Sequence, residues 1–276
     1  MQATNAAAIP PHPIRVEGHV ERPSRWSSMG GERLPMDAVA TKSQATNSPK
    51  RLARIAGVLY LLVAIFSGFA YFMASKVYVS GDAAATARNV LAHAGLVRIA
   101  VVADLFQATV FVFLGMTLYL LLKHVHKNAA SAMVVLVAIA ASIMCLNAVF
   151  EFEGLRVATG AVSLAAFGTA GSHALVLLLL DTQHYGFLIA QIFFGLWLVP
   201  LGYLAYKSRW FPKAQGVLLI VGGVCYLVGM LASFLVPDSG QNINAIVTIP
   251  AAIAEISMVV YLLVIGVKTV EPDHTE

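Results

Sequence analysis

The chain has 276 residues, 59% hydrophobic and 12% charged, with a formal charge of +4, a pI near 9.1 and a mean hydropathy of +0.78. So apolar a composition excludes an ordinary water-soluble domain and places the chain in a lipid bilayer. The basic residues stand in short clusters between apolar runs rather than on one solvated face, so the positive charge is not read as a nucleic-acid footprint.

Residues 1–49 carry Pro10, Pro11, Pro13, Pro23, Pro35 and Pro49 among Ser, Thr, Asn, Gln and charge, the composition of a disordered tail. The segment has no apolar core of about 7 to 15 residues, so no cleaved leader is expected. Met29 and Met36 precede the apolar part and are alternative starts, and Trp26 is the tail's one aromatic candidate for a membrane-surface anchor.

A helix needs about 20 mainly apolar residues to cross the hydrocarbon layer. Six stretches qualify: 55–74, 97–122, 131–150, 185–206, 216–236 and 246–267. Barrel strands would be about ten residues long with alternating polarity, whereas VLYLLVAIF and VVLVAIAAS are continuous apolar runs. The expected fold is all-α: a six-helix membrane bundle over residues 50–270, between the tail and a short second tail at 271–276.

Residues 161–180 are apolar enough to suggest a seventh span, but charge placement opposes it. The basic connections around Lys123 and Lys127 and around Lys207, Arg209 and Lys213 should both stay cytoplasmic, so an even number of crossings must separate them. Gly168, Gly171, Ser172 and His173 also interrupt the stretch. It is expected to extend the third helix and then form a helical or re-entrant segment outside. Lys42, Lys50, Arg51 and Arg54 before the first span and Lys268 after the last place both termini in the cytoplasm by the same rule. The outer loops would then carry Lys76, Asp82 and Arg88, then Glu151, Glu153, Arg156 and Asp181, then Asp238.

With about 1.5 Å of rise per residue, Asp104 lies roughly 10 Å below the outer end of the second span, Glu255 roughly 13 Å down the sixth and Gln191 roughly 9 Å down the fourth. Asn147 and Glu151 are one turn apart near the outer end of the third span, and Gln107 follows Asp104 by a turn. Side chains lean toward their own helix N-terminus, so Asp104, Gln191 and Glu255 lean outward. An ionised carboxylate at helix centre costs about 2.5 to 3.5 kcal/mol on insertion scales and usually faces the bundle interior or a wet cavity. A shared polar pocket near the outer side is therefore expected, taking a small ligand or a proton. Six residues turn a helix by roughly 600°, so Arg98 lies on a different face from Asp104 and is not its partner.

Pro250 deprives the Ile246 carbonyl of its usual helical donor, and Pro200 does the same to Leu196. Ala64 with Gly68, Ala138 with Ser142, and Gly222 with Gly229 have spacings suited to close helix packing. Tyr203, Tyr206 and Trp210 fall where interfacial aromatics belong. Cys145 and Cys225 sit in apolar runs as small packing residues.

The sequence contains no HExxH, no nucleophile elbow and no phosphate-binding glycine loop ending in Lys and Ser or Thr. Glu151, Glu153, His173, Asp181 and His184 could supply an outer-loop metal or catalytic set, although their spacings match no known pattern. His124 and His126 beside lysines are read as solvated, and no span holds a central histidine for haem. No cofactor, metal or catalytic residue is assigned.

RLARIAGVLYLLVAIFSGFA, GDAAATARNVLAH with LVRIAVVADL, and LLLLDTQHYGFLIAQIFFGLWLVPLGYLAYKSRWFPKAQGVLLIVGGVCYLV together resemble the family of domains of unknown function numbered 4386, over about residues 50–268. The matching positions are Arg98, Ala103, Asp104, Tyr185, Gly186, Phe193, Phe194, Gly195, Pro212, Gly216 and Glu255. The resemblance implies a six-span bacterial inner-membrane protein and brings no chemistry with it. Three functional classes stay open: a small transporter or ligand-binding protein built on Asp104 and Glu255, a structural or partner-binding protein whose polar groups join helices, and a membrane enzyme using the outer-loop acids and histidines.

Overall fold

The computed structural model describes residues 48–162, 165–236 and 238–268. Residues 1–47, with Trp26, Met29 and Met36, and residues 269–276 lie outside the described residues, and so do the expectations placed on them.

Six helical segments are long and apolar enough to cross a membrane. They comprise α1 (Pro49–Val77), α3 (Ala94–Leu122), α4 (Lys127–Ala158), α5 (Gly168–Ser208), α6 (Lys213–Leu235) and the pair α7 (Gly240–Val247) and α8 (Ile249–Val264). A short helix, α2 (Ala83–Ala92), joins α1 to α3. The caps follow from the residues at the boundaries. Pro49 opens α1, where its missing N–H costs nothing. The Asp82 carboxylate accepts from the Ala85 amide at 2.8 Å and caps α2, and His126 caps α4 through the Ala129 amide at 3.1 Å. The first turn of α1 meets the chain leaving α8, with Gly266 packed on Lys50 and Ala53. The two ends of the bundle are thus a termini end and a far end.

One difference from the sequence reading concerns residues 161–180. The third helix does extend, to Ala158, but residues 168–184 are neither re-entrant nor separate: they form the first turns of α5. At about 1.5 Å per residue, the 41 residues of α5 span roughly 60 Å, about twice the hydrocarbon thickness. The glycines that looked like interruptions mark the helix start. Gly168 takes a φ of +64°, which suits glycine, and the Ser172 hydroxyl bonds back to the Gly168 carbonyl at 3.0 Å. Beyond them, Val176 and Leu180 bury themselves, and Leu180 fills the space above Gly154 of α4.

Three apolar clusters result, the smallest being Ala108, Ala141 and Met144 between α3 and α4. The largest runs through the termini half around Trp197, Leu114, Leu118, Met133, Leu201 and Met258. The second, at the far end, joins Met73, Val90, Val97, Leu155, Val176 and Leu180 from α1 to α5. The α5–α6 seam is built on glycine: the Gly195 Cα faces the Gly223 carbonyl and Gly202 faces that of Gly216, where any Cβ would collide. Of the small-residue pairs read from the sequence, Gly222 packs on Ala251 and Gly229 on Asn244, but Gly68 meets nothing and Ala138 and Ser142 face outward.

Candidate functional site

Asp104 sits half-buried on α3, one turn before the buried Gln107. Across the α3–α4 seam its carboxyl is a hydrogen-bonding neighbour of the Glu151 carboxyl, also half-buried. The antiparallel packing of α3 and α4, fixed nearer the termini by Val137 against Gly115, sets these acids at one level. Toward the termini end, the Gln107 amide donates to the Ser67 hydroxyl of α1. Asn147, one turn before Glu151 and only 6% exposed, lays its amide on Gly186 of α5, and its Nδ2 has no partner.

Glu255 belongs to a different neighbourhood. Its carboxyl is a hydrogen-bonding neighbour of the Tyr226 hydroxyl on α6 and a charge neighbour of the Tyr60 hydroxyl on α1. Tyr60 is 2% exposed and its hydroxyl has no partner. A run of aromatic rings connects the two tyrosines: Tyr60 to Trp197 at 5.6 Å, Trp197 to Phe111 at 5.1 Å, Phe111 to Phe194 at 6.1 Å and Phe194 to Tyr226 at 6.4 Å. Gln191 occupies a third neighbourhood, where its carbonyl accepts from the Asn244 amide of α7 at 3.3 Å, leaving Asn244 Oδ1 unpartnered.

The sixth span breaks between these last two groups. Thr248 separates α7 from α8, its hydroxyl bonding the Asn244 carbonyl at 2.7 Å. Pro250, in the first turn of α8, is the cause, since its ring and missing N–H cannot continue α7. The Thr248 amide bonds the same Asn244 carbonyl, at 3.0 Å. At Pro200, by contrast, α5 continues unbroken.

The structure therefore sets Asp104 beside Glu151, engages Gln107 with Ser67 of α1, lays Asn147 on Gly186 of α5, and places Gln191 and Glu255 among other partners. Arg98 is exposed and, among the described residues, in no ion pair. Sequence reasoning missed Ser67, Tyr60, Tyr226 and Asn244. Tyr60 and Tyr226 stood out only as hydroxyls inside apolar runs, and Asn244 fell just outside the predicted sixth span.

The far-end acids and histidines disperse. Glu153 pairs with Arg156 at 2.6 Å. Asp181 accepts from the Tyr78 hydroxyl at 2.5 Å, and the His184 ring stacks on Tyr78 at 5.3 Å. Partial burial, reinforced by the bond to Asp181, pushes the Tyr78 phenol up to about 12. His173 and Arg88 line a separate cavity of about 460 Å³ between α2, the end of α4 and the start of α5. Among the described residues, no three of His, Cys, Asp and Glu gather in a way that could hold a metal ion.

The family model described as Domain of unknown function (DUF4386) matches residues 55–266. The chain belongs to that family. It is a multi-pass integral membrane protein, with six candidate spans of which the first begins just ahead of the DUF4386 match. No curated protein and no solved structure matches it.

Proposed function

We propose that this DUF4386 protein is a small transporter or ligand-binding protein of the cell inner membrane, whose polar sites at Asp104 with Glu151 and at Glu255 take up and release a proton or a cationic ligand. One observation carries the reading: these carboxyl groups have polar company but no fixed cation. Among the described residues the one ion pair is Arg156–Glu153. Charge within a span is costly and commonly marks ion or proton pathways, so an acid without a built-in counterion calls for a mobile one. Gln107, Asn147 and Gln191 supply further polar groups at the two levels. The basic residues Lys123, Lys127, Lys207, Arg209 and Lys213 in the connections at the termini end favour a cytoplasmic position for that end. Asp104 and Glu151 then sit toward the outside.

A second reading has its own support, because Asp104 meets Glu151 and Glu255 meets Tyr226 across helix seams, as interhelical hydrogen bonds would. Proteoliposomes containing a pH-sensitive dye separate the two. On the transport reading, an imposed cation gradient changes the internal pH with wild-type protein, and Asp104→Asn and Glu255→Gln each abolish the change while inserting normally. If the wild-type protein is silent, or both amide variants behave like it, the polar groups only join helices.

A further inference from the structure

We infer that the far-end cavity between α2, the end of α4 and the start of α5 is a binding site for a small water-soluble organic anion, whose oxyanion head is held by Arg88 and His173 and whose apolar body lies on the cavity floor. The site lies apart from the intramembrane acids, and its occupancy stands whether or not they exchange protons.

Three chain boundaries build the cavity. The Asp82 cap starts α2, which buries Ala87 and Val90 and leaves Arg88 exposed at the mouth. At the end of α4, Gly160 takes a φ of +72°; its amide donates to the Val157 carbonyl at 3.1 Å, and the Ala161 amide donates to that of Arg156 at 2.9 Å. The chain then turns back as α5, which brings Thr169, His173 and Val176 along one helix face. Floor and rim differ in kind. Ala87, Val157 and Val176 are buried and apolar, whereas Arg88 and Thr169 are exposed and His173 is half-buried. The volume of about 460 Å³ falls within the roughly 300 to 1,000 Å³ of sites that take small molecules.

The polar groups select the sign of the occupant. The last carbonyls of α4 are paired within the chain: besides Arg156 and Val157, Leu155 accepts from both the Thr159 amide at 3.0 Å and its hydroxyl at 2.9 Å. Arg88 offers a fork of N–H donors and no acceptor, and an imidazole keeps an N–H donor in either charge state. Among the described residues no carboxylate lines the cavity, and the far-end acids are engaged elsewhere: Asp82 with the Ala85 amide, Glu153 with Arg156 and Asp181 with the Tyr78 hydroxyl. Arg88 therefore faces the cavity with no ion-pair partner among the described residues. A cation would be repelled there, and a neutral apolar ligand would leave the guanidinium unused. An oxyanion takes it through charge-assisted hydrogen bonds while an apolar body covers the floor. Because α5 spans roughly 60 Å, about twice the hydrocarbon thickness, its first turns stand clear of the acyl layer and the occupant comes from water.

The test uses the full chain in nanodiscs of neutral lipid, with empty nanodiscs subtracted. Ligand-observed NMR reads the binding of benzoate, phenyl phosphate and benzylammonium, with inorganic phosphate added as a competitor. Benzoate or phenyl phosphate should saturate with a midpoint of about 0.1 to 1 mM. Inorganic phosphate, which lacks the apolar body, should compete about tenfold more weakly than phenyl phosphate, and benzylammonium should not saturate. With folding checked by circular dichroism, Arg88→Gln should raise the midpoint about tenfold and His173→Gln about threefold. Lys76→Gln, which removes an exposed far-end charge outside the cavity, should bind as wild type. The inference is overturned by a wild-type protein that binds neither organic anion or binds benzylammonium as well. Equal affinity for inorganic and phenyl phosphate, or folded Arg88→Gln and His173→Gln variants that bind as wild type, overturn it too. Loss of benzoate binding on adding phosphatidylglycerol to the lipid would put a lipid headgroup in the cavity and equally overturn the water-soluble occupant.

Discussion

The α5–α6 seam and the α3–α4 seam are both contacts between neighbouring spans, and they are closed by opposite means. Along the first, Gly195 and Gly202 face Gly223 and Gly216 so closely that backbone meets backbone. Along the second, Val137 fills the space at Gly115, Ala108 packs with Ala141 and Met144, and farther from the termini Asp104 and Glu151 are neighbours. In a bilayer, apolar burial gives no driving force between helices, so association depends on close packing and polar contacts. The glycine seam uses the first, with Tyr226 and Tyr206 laid against Gly195 and Gly216; the carboxyl seam adds the second and keeps a group able to change charge. On the proposed reading, the first seam is scaffold and the second holds exchangeable charge.

The largest effect should come from breaking the scaffold. In Gly202→Leu, the Cβ alone would lie 2.5 Å from the Gly216 carbonyl oxygen, which neither backbone can relieve without separating the helices. We expect no monodisperse folded protein by size-exclusion chromatography; normal yield and thermal stability would show that the seam is looser than described. Next is Asp104→Asn on the opposite seam. It keeps the shape and a hydrogen bond to Glu151, so the unfolding midpoint should stay near wild type while proton uptake at this seam is lost; a large loss of stability with unchanged uptake would reverse the assignment. Gly186→Ala follows, because its methyl would displace the Asn147 amide. A destabilisation of about 1 to 3 kcal/mol is expected in equilibrium unfolding.

The smallest effect lies at the margin of the bundle. Tyr78→Phe removes the bond to Asp181 and should cost about 0.5 to 1.5 kcal/mol. Because the Tyr78 phenol is raised from 10.0 to about 12, its contribution is complete below pH 10 and disappears as pH rises through 12. Titration by tyrosinate absorbance should show one fewer late-ionising tyrosine in the Phe variant than in wild type.

The six spans were legible because a run of apolar residues longer than the hydrocarbon layer has few alternatives. The 41-residue α5 was not, because hydropathy reports where lipid ends and says little about where a helix does. Gly168 and Gly171 looked like breakers, yet they occupy the helix start, where glycine is harmless. Counting residues put Asp104 roughly 10 Å below the outer end of its span and Glu151 near the outer end of its own, so the sequence did not pair them. Angular position around each helix was not readable, so partners on other spans stayed hidden: Glu255 and Asp104 shared a half of the membrane in the sequence but have different neighbours in the fold. Tyr60 and Tyr226 escaped notice because an aromatic residue counts as apolar until its hydroxyl is found beside an acid. The seven-residue spacing from Gly195 to Gly202 and from Gly216 to Gly223 was present in the sequence, but only the register of the two helices makes it a seam.

The central claim is that intramembrane acids without fixed cations hold exchangeable charge, and a proton count tests it directly. Wild-type protein and the Asp104→Asn, Glu255→Gln double variant are titrated in the same lipid, with folding checked by circular dichroism. The account predicts that wild type binds about two more protons per chain on acidification than the double variant. Identical titration curves from two folded proteins would contradict it.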